Sequence, residues 1–132
     1  MAVILKTEGL NKVYRLGSLM RARRIQALDD VNITVESDRP VIIAVVGESG
    51  SGKTTVTLAL LRCLRNQGRA VASVKAGPDY IDPAFHQAAG GRPCYNLDNW
   101  AMRSGTLAAA VTRAGEGAEL ILGEGVMGLF DG

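Results

Sequence analysis

The fold of this chain is decided by the stretch Gly47-Glu48-Ser49-Gly50-Ser51-Gly52-Lys53-Thr54, which matches the pattern G-x-x-x-x-G-K-[ST] at every position. Its glycines let the backbone curl until several N–H groups point at phosphate oxygens, and the N-terminus of the following helix adds partial positive charge. We expect Lys53 to reach the β- and γ-phosphates of a nucleotide and the Thr54 hydroxyl to ligate Mg²⁺. The alternative interpretation is a glycine-rich turn that carries an exposed lysine.

The segments around this loop predict a parallel α/β fold, because strand and helix patterns alternate along the chain. Residues 41–46 form a continuous apolar run, which is typical of a strand covered on both faces. Residues 53–66 have the apolar spacing of an amphipathic helix. The other predicted elements are strands over 70–75 and 119–123 and helices from Asp82 to Gly90 and over 104–114. Right-handed crossovers then give a short parallel sheet flanked by helices.

The first 40 residues follow a different pattern. Val31, Ile33 and Val35 alternate with polar residues, which indicates a half-buried strand. Shorter apolar stretches at 3–5 and 13–14 can supply its partner. We predict an antiparallel β-hairpin that adds to the sheet beside strand 41–46. The chain is then one domain over residues 1–132, with a hairpin segment at 1–40 and an α/β segment at 41–132.

Composition restricts the class of protein. A length of 132 residues suits one ordinary domain, and 47% hydrophobic with 21% charged residues excludes disorder. The formal net charge of +2 does not favour nucleic-acid binding. Cys63 and Cys94 indicate reduced thiols rather than a disulfide framework, and no apolar run is long enough to span a membrane. We therefore expect a cytoplasmic protein with no nucleic-acid partner, and exposed edges of its short sheet favour a homo-oligomer.

Acidic residues and a lysine follow the predicted strands. Because the carboxyl ends of parallel strands meet at one edge of a sheet, Lys75, Asp79 and Glu124 should converge on the phosphates. Ordinary turn chemistry is the alternative explanation for Asp79 and Glu124. A helix N-cap explains Asp82 equally well, since Pro83 follows it at the first helical position.

Four stretches carry a resemblance to a known family: KTTVTL at 53–58, VKAGPDYIDPAFH at 74–86, NLD at 96–98 and EGVMGLFDG at 124–132. Residues from about 52 to 132 resemble the amino-terminal part of the ATP-dependent cobyrinic acid a,c-diamide synthases. That family has a fold similar to dethiobiotin synthetase, which implies that strand 119–123 lies between the other two. It uses MgATP to phosphorylate a corrinoid carboxylate, and ammonia then displaces the phosphate.

The same resemblance implies roles for individual residues. Lys53 and Lys75 are the catalytic candidates, with Lys75 in contact with phosphate. The resemblance also implies that Asp79 and Glu124 hold Mg²⁺, together with Thr54 from the loop motif. Asp82 and Asp131 support the site.

Three stretches carry a second resemblance: LNKVY at 10–14, ALDDVNITV at 27–35 and VGESGSGKTT at 46–55. Residues 1 to about 55 resemble the start of an ABC-transporter ATPase of the peptide-importer kind. In that family an aromatic residue at the position of Tyr14 stacks on adenine, and the loop from Gly47 to Thr55 holds the phosphates. The alternative for Tyr14 is a half-buried strand residue.

Both resemblances are incomplete, which leaves three hypotheses. The sequence lacks the ABC signature L-S-G-G-Q and a switch histidine, and its only histidine, His86, belongs to the synthase-like segment. It also lacks the glutaminase part of the synthases, so a corrinoid is not expected to be fully bound. The first hypothesis is a truncated P-loop NTPase that binds ATP and Mg²⁺, an engineered chimera of two fragments with at most weak hydrolysis. The others are a truncated amide-forming synthase and a non-enzymatic, phosphate-binding folding unit.

Overall fold

The computed structural model describes residues 2–16 and 23–127 of the chain. It divides between Asp38 and Arg39 into two compact units. No helix in these described ranges has both the length and the apolar character needed to cross a membrane.

The first unit is a β-hairpin of two long antiparallel strands, β1 (Ala2–Leu16) and β2 (Arg23–Ser37). Its register is irregular near Gly9, which has a φ of 56°, and near Asp30, which has a φ of 46°. The predicted antiparallel hairpin is confirmed, but the prediction that it extends the sheet of strand 41–46 is wrong. The two strands form a sheet of their own. Alternation in the sequence indicates which side chains share a face, and it does not specify which sheet a strand joins.

The second unit is an α/β domain with a four-stranded parallel sheet. Its elements are β3 (Val41–Val45), α1 (Lys53–Asn66), β4 (Val71–Ala76), α2 (Asp82–Gly90), β5 (Cys94–Leu97), α3 (Ser104–Gly115) and β6 (Leu120–Glu124). The strand order is β3-β6-β4-β5. The predicted α/β class and the central position of the last strand are both confirmed.

The hydrophobic core lies around the central strands β4 and β6. Ala72, Val74 and Ile121 form a buried cluster with two alanines of α3 and the turn after it, Ala114 and Ala118. On the other side Leu61 of α1 is fully buried, as are Leu120 and Leu122 of β6. Burial of these side chains on both faces of the sheet fixes the carboxyl ends of β4 and β6 next to the start of α1.

Strand β3 lies at the edge of the sheet, since it pairs only with β6 in the described part of the chain. The prediction that this strand is covered on both faces is wrong, because its side chains alternate in burial and Ile42 is 59% exposed. A continuous apolar run does not reveal how many neighbours a strand has. Strand β5 was also not predicted, because its four residues, CYNL, show no distinct period.

The start of α2 differs from the prediction in a way that affects the site. Asp82 is the first residue of the helix, and Ile81 holds the N-cap position without a side-chain cap. The carboxylate that serves this end of the helix belongs to Asp79, whose Oδ1 accepts the N–H groups of Ile81 at 2.8 Å and Asp82 at 3.1 Å. The Asp82 side chain is therefore left for other contacts.

Candidate functional site

The loop between β3 and α1 has the curled backbone that its glycines predict. Gly50 and Gly52 have φ values of 79° and 87°, in the left-handed region that disfavours other residues. A backbone bond from Ser51 N–H to the Glu48 carbonyl, at 3.1 Å, closes the curl. A Cβ on Gly47 would lie 2.7 Å from the Ser51 hydroxyl, so this position is restricted to glycine unless Ser51 moves.

The loop opens onto a cavity of about 550 Å³. Its loop and helix side is formed by Ser49, Gly50, Lys53 and Thr54, and its opposite side by residues 75–82 and Val126. The Lys53 ammonium donates a hydrogen bond to the Glu48 carbonyl at 3.3 Å, so the lysine lies back across its own loop. A cation and the N-terminus of a helix thus face the same cavity, which suits an anionic ligand.

Thr54 and Glu124 meet behind the loop, as the sequence analysis expected. The Thr54 hydroxyl donates to Glu124 Oε1 at 2.5 Å. The Lys75 ammonium lies 3.0 Å from the same Oε1 and donates to the Gly125 carbonyl at 3.3 Å. Lys75 is 4% exposed and Glu124 is 1% exposed, so this ion pair is almost completely removed from water.

Asp82 completes the cluster, although the sequence explained it equally well as a helix cap. Its Oδ2 lies 3.0 Å from Lys75 Nζ and 3.5 Å from the Thr54 hydroxyl. Asp79 lines the cavity, but its carboxylate contacts the backbone of α2, and its carbonyl accepts a hydrogen bond from the Asn96 amide. Of the two acids that follow β4, Asp82 is the one nearest to Thr54.

The charges in this cluster stabilise one another. Burial alone would lower the pKa of Lys75, but its hydrogen bonds to Asp82 and Glu124 outweigh this and raise the pKa. Burial alone would raise the pKa of Glu124, but hydrogen bonds from Thr54, His86 and Lys75 lower it below its ordinary value. The lysine is therefore held as a cation and the glutamate as a carboxylate.

Sequence reasoning missed a second layer of residues behind Glu124. His86 of α2 is fully buried, and its Nε2 lies 2.7 Å from Glu124 Oε2. Its Nδ1 lies 3.4 Å from Cys94 Sγ at the start of β5. Burial raises the pKa of the Cys94 thiol against the opposing effect of a hydrogen bond with Ser73. The signal in the sequence was a lone histidine one turn into a helix that begins at the site.

The other predicted site residues are placed as follows. Thr55 lies in the first turn of α1, and Glu48 and Ser51 lie in the loop. Tyr14 is 53% exposed on β1, where Lys12 Nζ lies 5.3 Å from the centre of its ring. It belongs to the first unit, so its contact with adenine stays a prediction. Asp131 lies outside the described residues, and within them no cluster of three histidine, cysteine or acidic side chains forms a ready-made metal site.

Comparison with known proteins agrees with this geometry. A family model described as the CobQ/CobB/MinD/ParA nucleotide binding domain matches residues 42–122, which is more than half of the chain. The chain belongs to this family. The matched residues include the loop, Lys75, Asp82 and His86, and they end two residues before Glu124.

Individual relatives are similar over a comparable length. The hydrogenobyrinate a,c-diamide synthase of Brucella suis biovar 1 is 62% identical over 85 residues, which are 64% of this chain and 20% of that protein. The enzyme of the same name from Brucella anthropi is 64% identical over 85 residues, again 64% of this chain and 20% of that protein. That from Rhodobacter capsulatus is 58% identical over 84 residues, 64% of this chain and 19% of that protein. The chain thus spans about a fifth of the length of these relatives.

These findings support the synthase-like resemblance of the segment after the loop and its nucleotide-binding character. The resemblance of residues 1–55 to an ABC-transporter ATPase stays a prediction.

Proposed function

We propose that the second unit binds MgATP, with the phosphates in the loop from Gly47 to Thr55. One observation carries the proposal: Thr54, Lys75 and Glu124 converge on one point behind a glycine-rich loop whose lysine faces the same cavity. A buried cation with its carboxylate partners, next to a free helix N-terminus, suits triphosphate and a metal far better than an uncharged ligand.

The residues fit Mg²⁺ by the chemistry of their donor atoms. Mg²⁺ prefers oxygen ligands and is usually bound through one or two carboxylates together with phosphate oxygens and waters. The Thr54 hydroxyl and the carboxylates of Glu124 and Asp79 are such ligands, on the cavity wall or immediately behind it. In this proposal Lys53 and Lys75 neutralise phosphate charge, and Asp82 holds the Lys75 ammonium in place.

For activity, we propose a domain with at most weak ATP hydrolysis. Both oxygens of Glu124 already have partners, since Oε1 accepts from Thr54 and Lys75 and Oε2 faces His86. A carboxylate with these contacts holds the site together and is poorly placed to orient an attacking water. The relatives' name supports a second candidate, ATP-dependent amidation of a corrinoid carboxylate, in which this domain supplies the nucleotide site.

The two units also suggest an origin for the chain. The division after Asp38 and the family match from residue 42 are consistent with a chimera in which an ABC-like hairpin precedes a synthase-like nucleotide domain. The position of β3 at the edge of the four-stranded sheet supports a homo-oligomer. Sedimentation of the full chain at several concentrations tests the oligomer.

Titration of the full chain with MgATP and with inorganic tripolyphosphate tests the nucleotide site. We expect MgATP to bind more tightly than tripolyphosphate. Equal affinities would indicate a phosphate-binding unit that does not recognise the nucleoside. A corrinoid amidation assay with ammonia separates the synthase candidate from the binding domain, because only the former forms amide.

Replacement of Glu124 by glutamine is expected to weaken MgATP binding about tenfold, because an acceptor with full charge is lost beside the metal. Binding of metal-free ATP should be unchanged or stronger, since one negative charge leaves the phosphate neighbourhood. Calorimetric titration with and without EDTA measures both. Glu119→Gln is the matched control, because Glu119 is half exposed in an ion pair with Arg69. Equal loss with and without Mg²⁺ would contradict a metal role for Glu124.

Replacement of Tyr14 by alanine tests adenine stacking. A base that stacks on an aromatic side chain gains about 1–3 kcal/mol, so ATP affinity should fall about fivefold or more. Tripolyphosphate affinity should not change, because it has no base. Val13→Ala, on the neighbouring position of β1, is the control. Unchanged ATP affinity in Tyr14→Ala would identify Tyr14 as a strand residue only.

A further inference from the structure

The buried contacts of Glu124 point to residues that hold this carboxylate in position. His86 on α2 contacts Glu124 Oε2 at 2.7 Å, and Cys94 on β5 contacts the other ring nitrogen at 3.4 Å. His86 is 0% exposed, so its ring is shielded from bulk solvent. These side-chain contacts form a network that runs from Thr54 through Glu124 and His86 to Cys94, and it joins four different secondary-structure elements.

The carboxylate of Glu124 fixes the direction of its hydrogen bond with His86. An ionised carboxylate can only accept, so His86 Nε2 must carry the proton that lies between it and Glu124. A neutral imidazole protonated on Nε2 offers Nδ1 as an acceptor, and the Cys94 S–H is the donor within reach. Burial raises the pKa of the Cys94 thiol, which keeps that proton on sulfur.

We propose that His86 is a positioning residue for the metal-binding face of this site, and that Cys94 holds His86 in the tautomer that donates to Glu124. The bond from Nε2 ties down Glu124 Oε2, so that Oε1 is directed to Thr54 and Lys75. Outer partners of this kind orient metal ligands in many sites. This inference rests on the proposed function, since it assigns the network a role in MgATP binding.

A nucleophilic role for Cys94 does not fit the same geometry. A cysteine, a histidine and an acid that contact one another in this order resemble the side chains of a cysteine-dependent catalytic site. A nucleophile, however, needs an accessible thiolate. Burial holds the pKa of Cys94 above its ordinary value, and the Glu124 end of the network is tied to Lys75 and Thr54. The geometry instead places the Cys94 thiol against the His86 ring as a hydrogen-bond partner.

The first test reads the tautomer directly. The chain contains one histidine, so selective ¹⁵N labelling of histidine gives one pair of ring signals from the full-length protein. We expect the Nε2 signal of the nucleotide-free protein to be that of a protonated nitrogen. A ring protonated on Nδ1 alone would overturn the inference, whatever the protein binds.

The second test separates a donor at Nε2 from a donor at Nδ1. The amide nitrogen of glutamine can replace Nε2, whereas that of asparagine replaces Nδ1 and cannot reach Glu124. We expect His86→Asn to weaken MgATP binding about tenfold, as loss of an outer partner does at metal sites, and His86→Gln to recover most of it. Metal-free ATP should bind both variants as it binds the parent chain, because the phosphate loop is unaffected.

The outcomes distinguish this inference from the proposed function. If His86→Asn binds MgATP like the parent, positioning by His86 is wrong, while MgATP binding itself stands. If His86→Asn loses affinity for ATP with and without Mg²⁺ alike, the histidine has a general structural role and the inference is wrong. If the parent chain shows no Mg²⁺-dependent binding, the proposed function fails and the inference fails with it.

Discussion

Replacement of Lys75 by alanine should lower the free energy of unfolding of the second unit by about 3–5 kcal/mol, which is the range for removal of one partner from a buried ion pair. Lys75 Nζ lies 3.0 Å from Glu124 Oε1 and 3.0 Å from Asp82 Oδ2, and the side chain is 4% exposed. Without the ammonium, two carboxylates remain close together with no cation between them. Urea unfolding of the full chain in the absence of nucleotide measures the loss.

The effect of removing the Lys75 charge on stability can be separated from the effect of removing its side-chain volume. Glu119→Ala removes one partner of the half-exposed Arg69–Glu119 ion pair in the same unit, and we expect a loss below about 1 kcal/mol. The double variant Lys75→Met with Glu124→Gln should regain part of the stability, because it removes the more deeply buried of the two carboxylate charges and keeps the volume. A loss below about 1 kcal/mol in Lys75→Ala would show that the ion pair is well hydrated.

The effect of pH on the free energy of unfolding follows from the direction in which the pKa of Glu124 is shifted. The pKa of Glu124 is lowered in the folded chain, chiefly by the hydrogen bonds that outweigh its burial. Its stabilising contribution is therefore present above the ordinary carboxyl pKa and is lost as the pH falls through the lowered value. Since Lys75 supplies part of that shift, the difference in stability between the parent and Lys75→Ala should narrow as the pH falls.

Local pattern in the sequence predicted much of this site because its chemistry is local. The loop and the helix over 53–66 depend on residues that are neighbours in the chain, and α1 has the predicted bounds. Convergence of Lys75 and Glu124 followed from a general property of parallel sheets, whose strands end at one edge. Register confirms this directly, since the two residues are paired across β4 and β6.

Other features depend on partners that a single sequence does not identify. The apolar run of β3 resembles a central strand, but its edge position is decided by which strands pair with it. Asp79 and Asp82 are both acids near the start of a helix. Only the path of the backbone makes Asp79 bind the helix backbone and Asp82 bind Lys75. His86 stands out in the sequence only as a lone histidine one turn into α2, and its role depends on Glu124, which is 38 residues away in the chain.

Replacement of Lys53 by alanine is expected to reduce ATP affinity about ten- to a hundredfold, because charge-assisted hydrogen bonds contribute roughly 1.5–3 kcal/mol each. Unlike Lys75, the Lys53 ammonium has no carboxylate partner among residues 2–16 and 23–127, where it donates to the Glu48 carbonyl at 3.3 Å on the exposed side of the loop. Its removal should therefore leave the free energy of unfolding nearly unchanged. Calorimetric titration with MgATP and urea unfolding measure the two effects on the same preparation.

Lys6→Ala is the control for net charge, because Lys6 lies on β1 in an exposed pair with Glu8. Parent-like ATP affinity in Lys53→Ala would show that the loop of this chain is not a nucleotide site. A large loss of affinity together with a large loss of stability would mean that Lys53 supports the loop itself. Loss of affinity without loss of stability assigns the Lys53 charge to the bound phosphates alone, whereas the charge of Lys75 also stabilises the fold through Asp82 and Glu124.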